Sequence, residues 1–346
     1  MTKWSSGVGW NDKITERSEM KKIEVRFRVA AALLCAALPA AHDAAAQSAY
    51  PSKNVVIILP YTAGGSTDVI ARAMAQRLGQ VWGRNVIVEN RPGASGMIGA
   101  EMASKAEPDG HTLVSTTSSY PATASTRAKL PFDPAKAIVP VAMFGRAPML
   151  LAVHPSVPAK SVKELVALAK KKPGTLNYGS SGAGGNNHFS GALFAAAADV
   201  KMVHVPFKGI ANAVTALASG EIEIVISSNS ALLPQINAKR VRILGVTTLE
   251  PSPLFPELPS IAQSGVPGYS YELWWGLFAP AGIAPDRLAA INSAVNKILA
   301  TADMKKFLDN QGVQPWPLTP QQLDGLLVKE IERYTKMAQI AGITPQ

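Results

Sequence analysis

Apolar and polar positions after residue 50 repeat with the periods of buried strands and amphipathic helices. The run Val55–Leu59 is continuously apolar and ends at Pro60, as expected for a strand that is buried on both faces. Residues 69–81 then place apolar side chains on one face and polar side chains on the other, which predicts a helix. The same patterns predict two more strands, at 86–88 and 112–116, with a helix at 95–106 between them.

The alternation is interrupted by a segment with Pro131, Pro134 and Pro140, which predicts a loop, and then restarts. Further strands are predicted at 149–153, near Tyr178, and at 202–205, 222–226, 242–246 and 274–278. Helices are predicted from Ser161, and at 189–198, 210–218, 286–299, 303–309 and 320–341. Because alternating strands and helices build βαβ units, we predict an α/β fold with mainly parallel sheets. The length of 346 residues favours two lobes.

Three glycine-rich turns, at 62–68, 179–188 and 207–209, stand where a predicted strand passes into a predicted helix. Such a turn leaves the first N–H groups of the helix unpaired. Together with the positive end of the helix dipole, they form a site for an anion. Gly64 and Gly65 alone are also compatible with a plain turn. The following Ser66 or Thr67 predicts a helix cap, which favours the anion site, and we interpret Asp68 chiefly as a residue that orients the loop.

The N-terminal residues have the pattern of a secretory leader. Residues 20–46 begin with a basic stretch, continue with an apolar run at 29–41 and end at the small residues 44–46, which predicts a signal peptide. Residues 1–19 do not fit such a signal, so we interpret them as an extension before a start at Met20. The only cysteine, Cys35, lies in the leader, so the mature chain has no thiol for a disulfide, a nucleophile or a metal. We therefore expect a soluble protein of the periplasm.

Charge and motifs exclude several function classes. The formal net charge is +10, but the basic residues are scattered and are not interleaved with aromatic residues, so we do not expect nucleic-acid binding. The excess favours a weak attraction for anions. No phosphate-binding G-x-x-x-x-G-K-[ST] string, dinucleotide fingerprint, H-x-x-x-H pair or G-x-S-x-G elbow occurs. We expect no cofactor and no metal.

Two polar residues of the turns keep alternative interpretations. His188 follows a turn rich in serine, glycine and asparagine, where it either stabilises the loop or contacts a ligand. Lys208 either pairs with a ligand carboxylate or is simply solvated. The pair Trp274 and Trp275 either lines a cleft or fills a core, and their place on an apolar strand favours the core.

The chain resembles a known family through motifs that follow one another in order. They are Pro60-Tyr61-x-x-Gly64-Gly65-x-x-Asp68, Asn90-Arg91-Pro92-Gly93-Ala94-x-Gly96, Pro108-Asp109-Gly110-x-Thr112, Val205-Pro206-Phe207-Lys208-Gly209 and Trp275-Gly276-x-x-Ala279-Pro280-Ala281-Gly282. This order resembles the Bug/TctC family, the extracytoplasmic solute receptors of tripartite tricarboxylate transporters. The resemblance runs from about residue 50 to the C-terminus.

The resemblance implies a two-lobed periplasmic binding protein of type II, the Venus-flytrap architecture, with hinge strands between the lobes. Lobe 1 would comprise residues 47–147 with 272–346, and lobe 2 residues 148–271. In this family, backbone amides and ordered waters hold a ligand carboxylate. Carried onto this sequence, the implied ligand-binding residues are Tyr61, Thr62, Ala63, Gly64, Gly65, Ser66, Asp68, Ser118, Ser119, Ser180, Ser181, Gly184, Asn186, His188, Phe207, Lys208, Gly209 and Ser228.

The implied function is that of a receptor, not an enzyme, which captures a small carboxylate and delivers it to the membrane permease subunits of a tripartite transporter. We expect a monomer. Thr62 and the pair Asn186-Asn187 are more polar than is usual in the family, which leaves a neutral polar group or a second carboxylate open for the far end of the ligand. The alternatives are a periplasmic sensor domain for an organic acid and an enzyme that acts on such an acid.

Overall fold

The computed structural model describes residues 50–344. The predicted signal peptide at 20–46, the extension at 1–19 and Cys35 lie outside the described residues. No helix in the described part of the chain is long and apolar enough to cross a membrane.

The described residues form eleven strands and eleven α-helices. The strands are β1 (Val55–Leu59), β2 (Val86–Asn90), β3 (Thr112–Thr117), β4 (Ile138–Pro148), β5 (Leu150–Val153), β6 (Asn177–Ser180), β7 (Val203–Pro206), β8 (Ile224–Ser227), β9 (Arg242–Val246), β10 (Glu272–Pro280) and β11 (Gln314–Pro315). The helices are α1 (Ser66–Trp82), α2 (Met97–Ser104), α3 (Ser119–Ser125), α4 (Val162–Lys171), α5 (Asn186–Ala197), α6 (Ile210–Ser219), α7 (Asn229–Asn237), α8 (Pro285–Ala300), α9 (Ala302–Asn310), α10 (Pro320–Leu323) and α11 (Leu326–Ile340).

The strands form two sheets, and one lobe is built around each sheet. The first sheet has the order β11-β4-β10-β3-β1-β2, and the second has the order β7-β6-β8-β5-β9. The chain passes from the first sheet to the second between β4 and β5, and it returns between β9 and β10. The two-lobed α/β fold is therefore as the sequence predicts.

Both sheets are mixed: the strands of the βαβ units are parallel to one another, and β5 and β10 run against them. Strand β1 runs parallel to β2 and β3, and β6 runs parallel to β7 and β8. However, β10 is antiparallel to β3 and β4, and β5 is antiparallel to β8 and β9. Strands β5 and β10 are the ones by which the chain enters each lobe from the other. They begin on the side that faces the other lobe, where the strands of the βαβ units end, and they therefore run in the opposite direction.

Strand β10 lies in the middle of the first sheet and separates two apolar clusters. Leu273, Trp275 and Leu277 belong to the large cluster on one face, whereas Trp274 and Phe278 belong to the smaller cluster on the other face. This is the alternation expected of a strand with both faces covered. The indole N–H of Trp274 donates to Glu330 Oε2 at 2.7 Å.

Four local predictions need correction. Part of the predicted Pro-rich loop is strand β4, in which Pro140 lies next to an irregularity in the pairing with β10, where a missing N–H is tolerated. Helix α3 was missed; it holds Pro121 in its first turn, where a proline removes no helical hydrogen bond. Helix α7 was missed and contains Pro234. The predicted helix at 320–341 is divided at Gly325, which has φ +66°.

Candidate functional site

Four helices begin at a single cavity between the two sheets. They are α1 of the first lobe and α5, α6 and α7 of the second, and their N-cap residues are Gly65, Gly185, Gly209 and Ser228. None of the four has a hydrogen bond from an N-cap side chain to its first turn. The Asn186 N–H of α5 donates to Ser119 Oγ, and the first N–H groups of the other three helices are available to an anion. We call these four N-terminal turns the amide cluster.

A missing side-chain cap is not unusual in this fold, because α2, α8 and α11 also begin without one. Residues of the N-caps or first turns of the four helices of the amide cluster line one cavity, and the N-cap Gly96 of α2 and the first-turn residue Ser119 of α3 line the same cavity. Its volume is about 550 Å³, a size typical of sites for small molecules. The fold thus directs several helix dipoles at one cavity.

The first-lobe turn is held by hydrogen bonds that do not enter the cavity. Asp68 Oδ2 accepts from the Gly64 N–H at 3.2 Å, and Asp68 Oδ1 accepts from Arg72 Nε and from Asn90 Nδ2, both at 3.0 Å. The Asn90 amide also donates to the carbonyl of Tyr61 at 3.1 Å. Burial alone would raise the pKa of Asp68, but these donors outweigh it and hold the pKa below its ordinary value of 3.8. Asp68 is therefore an ionised support for the turn.

The prediction that Ser66 or Thr67 caps this helix was wrong, because the N-cap is Gly65. Gly65 has φ −81° and ψ 169°, an extended conformation that places Ser66 and Thr67 inside the first helical turn. The reason is that the turn closes one residue earlier than the hydroxyl pattern suggests. The start of the helix still faces the cavity, because Gly65, Ser66 and Thr67 all line it.

A stack of aromatic rings supports the second-lobe turn from behind. His188 lies over His204 with a centroid separation of 3.9 Å, and His204 lies over Tyr178 at 5.1 Å. His188 Nδ1 accepts a hydrogen bond from the Gly184 N–H at 3.1 Å, and Ser180 Oγ lies 2.6 Å from His204 Nε2. Burial lowers the pKa of His188 to about 4, and burial together with the neighbouring His188 lowers the pKa of His204 to about 4. Both rings are therefore neutral at pH 7.

The two lobes contact one another around the cavity. Ser95 Oγ of the first lobe donates to the carbonyl of Ala183 in the second at 3.0 Å, and Thr123 Oγ1 donates to the carbonyl of Gly184 at 3.1 Å. The Asn186 N–H donates to Ser119 Oγ at 3.2 Å. Two of these bonds end on the glycine-rich turn before α5 and the third ends on the first residue of α5, so this segment couples the second lobe to the first.

The structure brings eleven of the predicted site residues to the cavity wall. These are Tyr61, Thr62, Gly65, Ser66, Ser119, Ser181, Asn186, Phe207, Lys208, Gly209 and Ser228. The other seven are not part of the wall: Ala63, Gly64, Asp68, Ser118, Ser180, Gly184 and His188. Of these, Asp68, Ser180 and His188 make the supporting contacts described above, and Ala63 and Gly64 are exposed.

Sequence reasoning missed several residues of the wall. Pro92–Gly96 line it, and the motif that begins at Asn90 was a signal for this loop that the site prediction did not use. Arg127 follows α3, a helix that was itself missed. Trp275 is both buried in the core and part of the wall, and its indole N–H has no hydrogen-bond partner within residues 50–344. Among the described residues no group of three or more His, Cys, Asp or Glu side chains could hold a metal ion.

Comparison with known proteins identifies the family. The model of the family described as "Tripartite tricarboxylate transporter family receptor" (TctC) matches residues 69–343. The chain belongs to this receptor family. The sequence-based assignment to TctC is confirmed.

Three individual similarities agree with the family. This TctC-family receptor is 31% identical to Protein BugT of Bordetella pertussis over 85% of this chain and 90% of that protein. Among solved structures, R. palustris Rpa4515 with adipate is 34% identical, with a TM-score of 0.83 over 86% of this chain and 100% of the other. MatC (Rpa3494) from Rhodopseudomonas palustris with bound malate is 28% identical, with a TM-score of 0.77 over 83% of this chain and 99% of the other.

Proposed function

We propose that this protein is a periplasmic solute receptor that binds a small carboxylate in the interlobe cavity and delivers it to the membrane permease of a tripartite tricarboxylate transporter. The observation that carries the proposal is the amide cluster, in which four helix N-termini open into one cavity. A hydrogen bond to a charged group contributes about 1.5–3 kcal/mol, and micromolar affinity requires about 8 kcal/mol. A few amide donors therefore suffice to hold one carboxylate.

The relatives support the same class of ligand. Two structurally similar proteins hold adipate and malate, and both of these ligands are carboxylates. The family description supports delivery to a transporter, and with the predicted leader it supports a periplasmic location. We further propose that the receptor acts as a monomer, because one chain supplies both walls of the cavity.

The same proposal assigns the parts of the chain. Lobe 1 comprises residues 47–147 and 272–346, and lobe 2 comprises residues 148–271, with the hinge at the two crossings between the sheets. Thr247 supports this placement. Its Oγ1 accepts a hydrogen bond from the N–H of Met149, in the first crossing, at 2.7 Å, and it donates one to the carbonyl of Tyr271, in the second crossing. The Thr247 hydroxyl therefore links the two crossings. The eleven predicted residues on the wall are the proposed ligand contacts, and Asp68, Ser180 and His188 shape the turns that present them.

A graded pair of substitutions at Gly65 tests the proposal. A Cβ atom at Gly65 would lie 3.4 Å from Ile210 Cγ2, which is an ordinary contact, and the φ of −81° suits any residue. Gly65→Ala should therefore fold and retain most of the affinity. The two further methyl groups of Gly65→Val have to enter the cavity beside the amides of α1, so binding should be lost while the fold survives.

The measurement is calorimetric titration of both variants with organic acids that bind the wild type, together with thermal unfolding to confirm the fold. Wild-type affinity in a folded Gly65→Val variant would refute the placement of the carboxylate at α1.

A further inference from the structure

Two buried tyrosines connect helix α11 to the cavity wall through hydrogen bonds. The Tyr334 hydroxyl of α11 donates to the Tyr271 hydroxyl at 3.1 Å, and the Tyr271 hydroxyl donates to Asn186 Oδ1 at 2.8 Å. Neither tyrosine lines the cavity, whereas Asn186, the first residue of α5, does. All three side chains are buried. We call Tyr271 and Tyr334 the tyrosine pair.

The hydroxyls of the tyrosine pair keep their protons at neutral pH. Burial raises the pKa of Tyr271 well above its ordinary value of 10.0 and that of Tyr334 to about 12. Each hydroxyl has one proton to donate. Tyr334 gives its proton to Tyr271, so the proton of Tyr271 has to find another acceptor. The acceptor of the Asn186 amide is Oδ1, which the Tyr271 hydroxyl therefore holds.

Because its carbonyl end is held, the Asn186 amide turns its nitrogen end toward the wall. Nδ2 donates to Oγ1 of Thr117, a residue of the wall, at 3.4 Å. An amide nitrogen carries two hydrogens, and within residues 50–344 the second one has no partner. The backbone N–H of Asn186 is already donated to Ser119 Oγ. The side-chain amide is therefore the donor that Asn186 can offer to an anion.

The opposite orientation of this amide would offer the wrong group. A rotation by about 180° would bring Oδ1 to the side of Thr117 and the cavity, and a carbonyl oxygen repels a carboxylate. Without the Tyr271 hydroxyl, Oδ1 would be a buried acceptor with no donor, which is costly. Rotation toward the Thr117 hydroxyl would relieve that cost, so the orientation of the amide depends on Tyr271.

We propose that Tyr271 and Tyr334 are positioning residues that hold the Asn186 amide with its nitrogen toward the cavity, so that two residues outside the wall set the affinity for an anion. This proposal rests on the proposed carboxylate-receptor function. Tyr271 acts on Asn186 directly, whereas Tyr334 acts by directing the Tyr271 proton. The contribution of Tyr334 is therefore the smaller of the two.

The test is calorimetric titration of Tyr271→Phe, Tyr334→Phe and a matched control, Tyr269→Phe. Tyr269 is also buried, and its hydroxyl donates to the carbonyl of Ser190 in α5 at 3.1 Å. The control thus removes a buried hydroxyl that supports the same helix without touching Asn186. The probe is the acid that the wild type binds most tightly among benzoate, citrate and the linear mono- and dicarboxylates of two to eight carbons. Thermal unfolding of each variant checks the fold.

We expect Tyr271→Phe to bind the probe about 10- to 100-fold more weakly than the wild type, the range of one hydrogen bond to a charged group. Tyr334→Phe should lose less than Tyr271→Phe, and Tyr269→Phe should stay within about twofold of the wild type, the usual error of such comparisons. Wild-type affinity in folded Tyr271→Phe overturns the proposal but leaves the carboxylate receptor intact. A wild type that binds none of the acids counts against the proposed function and this proposal together.

Two further measurements separate positioning from a general support of the fold. In an Asn186→Ala background, Tyr271→Phe should change the affinity by less than about twofold, because the amide on which Tyr271 acts is absent. An equal loss in both backgrounds overturns the proposal. In ¹⁵N-labelled protein, the side-chain amide resonances of Asn186 should shift when the probe binds to the wild type and to Tyr269→Phe, and much less in Tyr271→Phe. The same shift in all three proteins contradicts the proposal.

Discussion

Gly209 is the position at which one added atom should separate the lobes. It is the N-cap of α6 in the second lobe, with φ +150° and ψ 161°. A Cβ atom there would lie 2.5 Å from Oγ1 and 3.1 Å from Cγ2 of Thr62, which belongs to the first lobe. Because this contact crosses the cavity, Gly209→Ala should oppose closure of the lobes over a ligand.

Gly209→Ala should carry two separate free-energy costs, one on ligand binding and one on the stability of the fold. Forcing an extra methyl group into a packed contact costs about 1–3 kcal/mol. This cost exists only while Gly209 and Thr62 are in contact, so it should weaken ligand binding by about 5- to 150-fold. The positive φ adds backbone strain of about 1–3 kcal/mol, which is present with or without ligand and should lower the unfolding stability of both forms.

The assay is calorimetric titration with the carboxylate that the wild type binds, together with thermal unfolding of the ligand-free protein. In the double variant Gly209→Ala/Thr62→Ala the clashing atoms Oγ1 and Cγ2 are gone, so its affinity should be close to that of Thr62→Ala alone. Its unfolding stability should stay low, because the strain at the positive φ remains. Gly174→Ala is the strain control, because Gly174 has φ +73° and a Cβ atom there meets nothing within 4 Å. It should lose stability and keep its affinity. Wild-type affinity in folded Gly209→Ala would show that this contact plays no part in binding.

Two predictions concern pH. The pKa of Asp68 is held below 3.8, so its contribution to stability is present above about pH 4 and is lost as the pH falls through the lowered pKa. Asp68→Asn should therefore be less stable than the wild type at pH 7, with a smaller loss on acidification, and parallel urea-unfolding curves from pH 2.5 to 7 would contradict this. His188 and His204 have pKa values of about 4, below the ordinary 6.5, so the unfolded chain takes up more protons between these values. Stability should be full above about pH 6.5 and fall toward pH 4, and His188→Gln should flatten that fall; an unchanged slope would count against the neutral stack.

The periodic elements could be predicted from the sequence because their signals are local. The continuous apolar run predicts β1 at the residues where the structure has it, and the glycine-rich turns predict the positions at which α1, α5 and α6 begin. Strand β4 could not be predicted in this way, because the tolerance of Pro140 depends on the irregular pairing with β10, a strand more than 130 residues later. The direction of β10 likewise depends on the route of the chain through the other lobe.

The residues of the site likewise fall into those with a local sequence signal and those that depend on long-range packing. The glycine turns were predicted because their backbone requirement is visible in the sequence. Arg127 was not predicted, and for Trp275 the sequence left a cleft-lining role and a core role open, because the contribution of each depends on how the chain folds around the space between the lobes. For His188 the sequence left loop stabilisation and ligand contact open, and in the structure its ring stacks on His204 and its Nδ1 accepts a hydrogen bond from the Gly184 N–H, as a loop-stabilising residue would.

The measurement that tests the central claim most directly is native mass spectrometry of the purified protein, followed by denaturation and identification of any small molecule that is released. The account predicts an intact small carboxylate, bound one per chain and released unaltered. A nucleotide, a metal ion or a chemically altered product in the cavity would contradict it, because each would show that the amide cluster serves a different purpose.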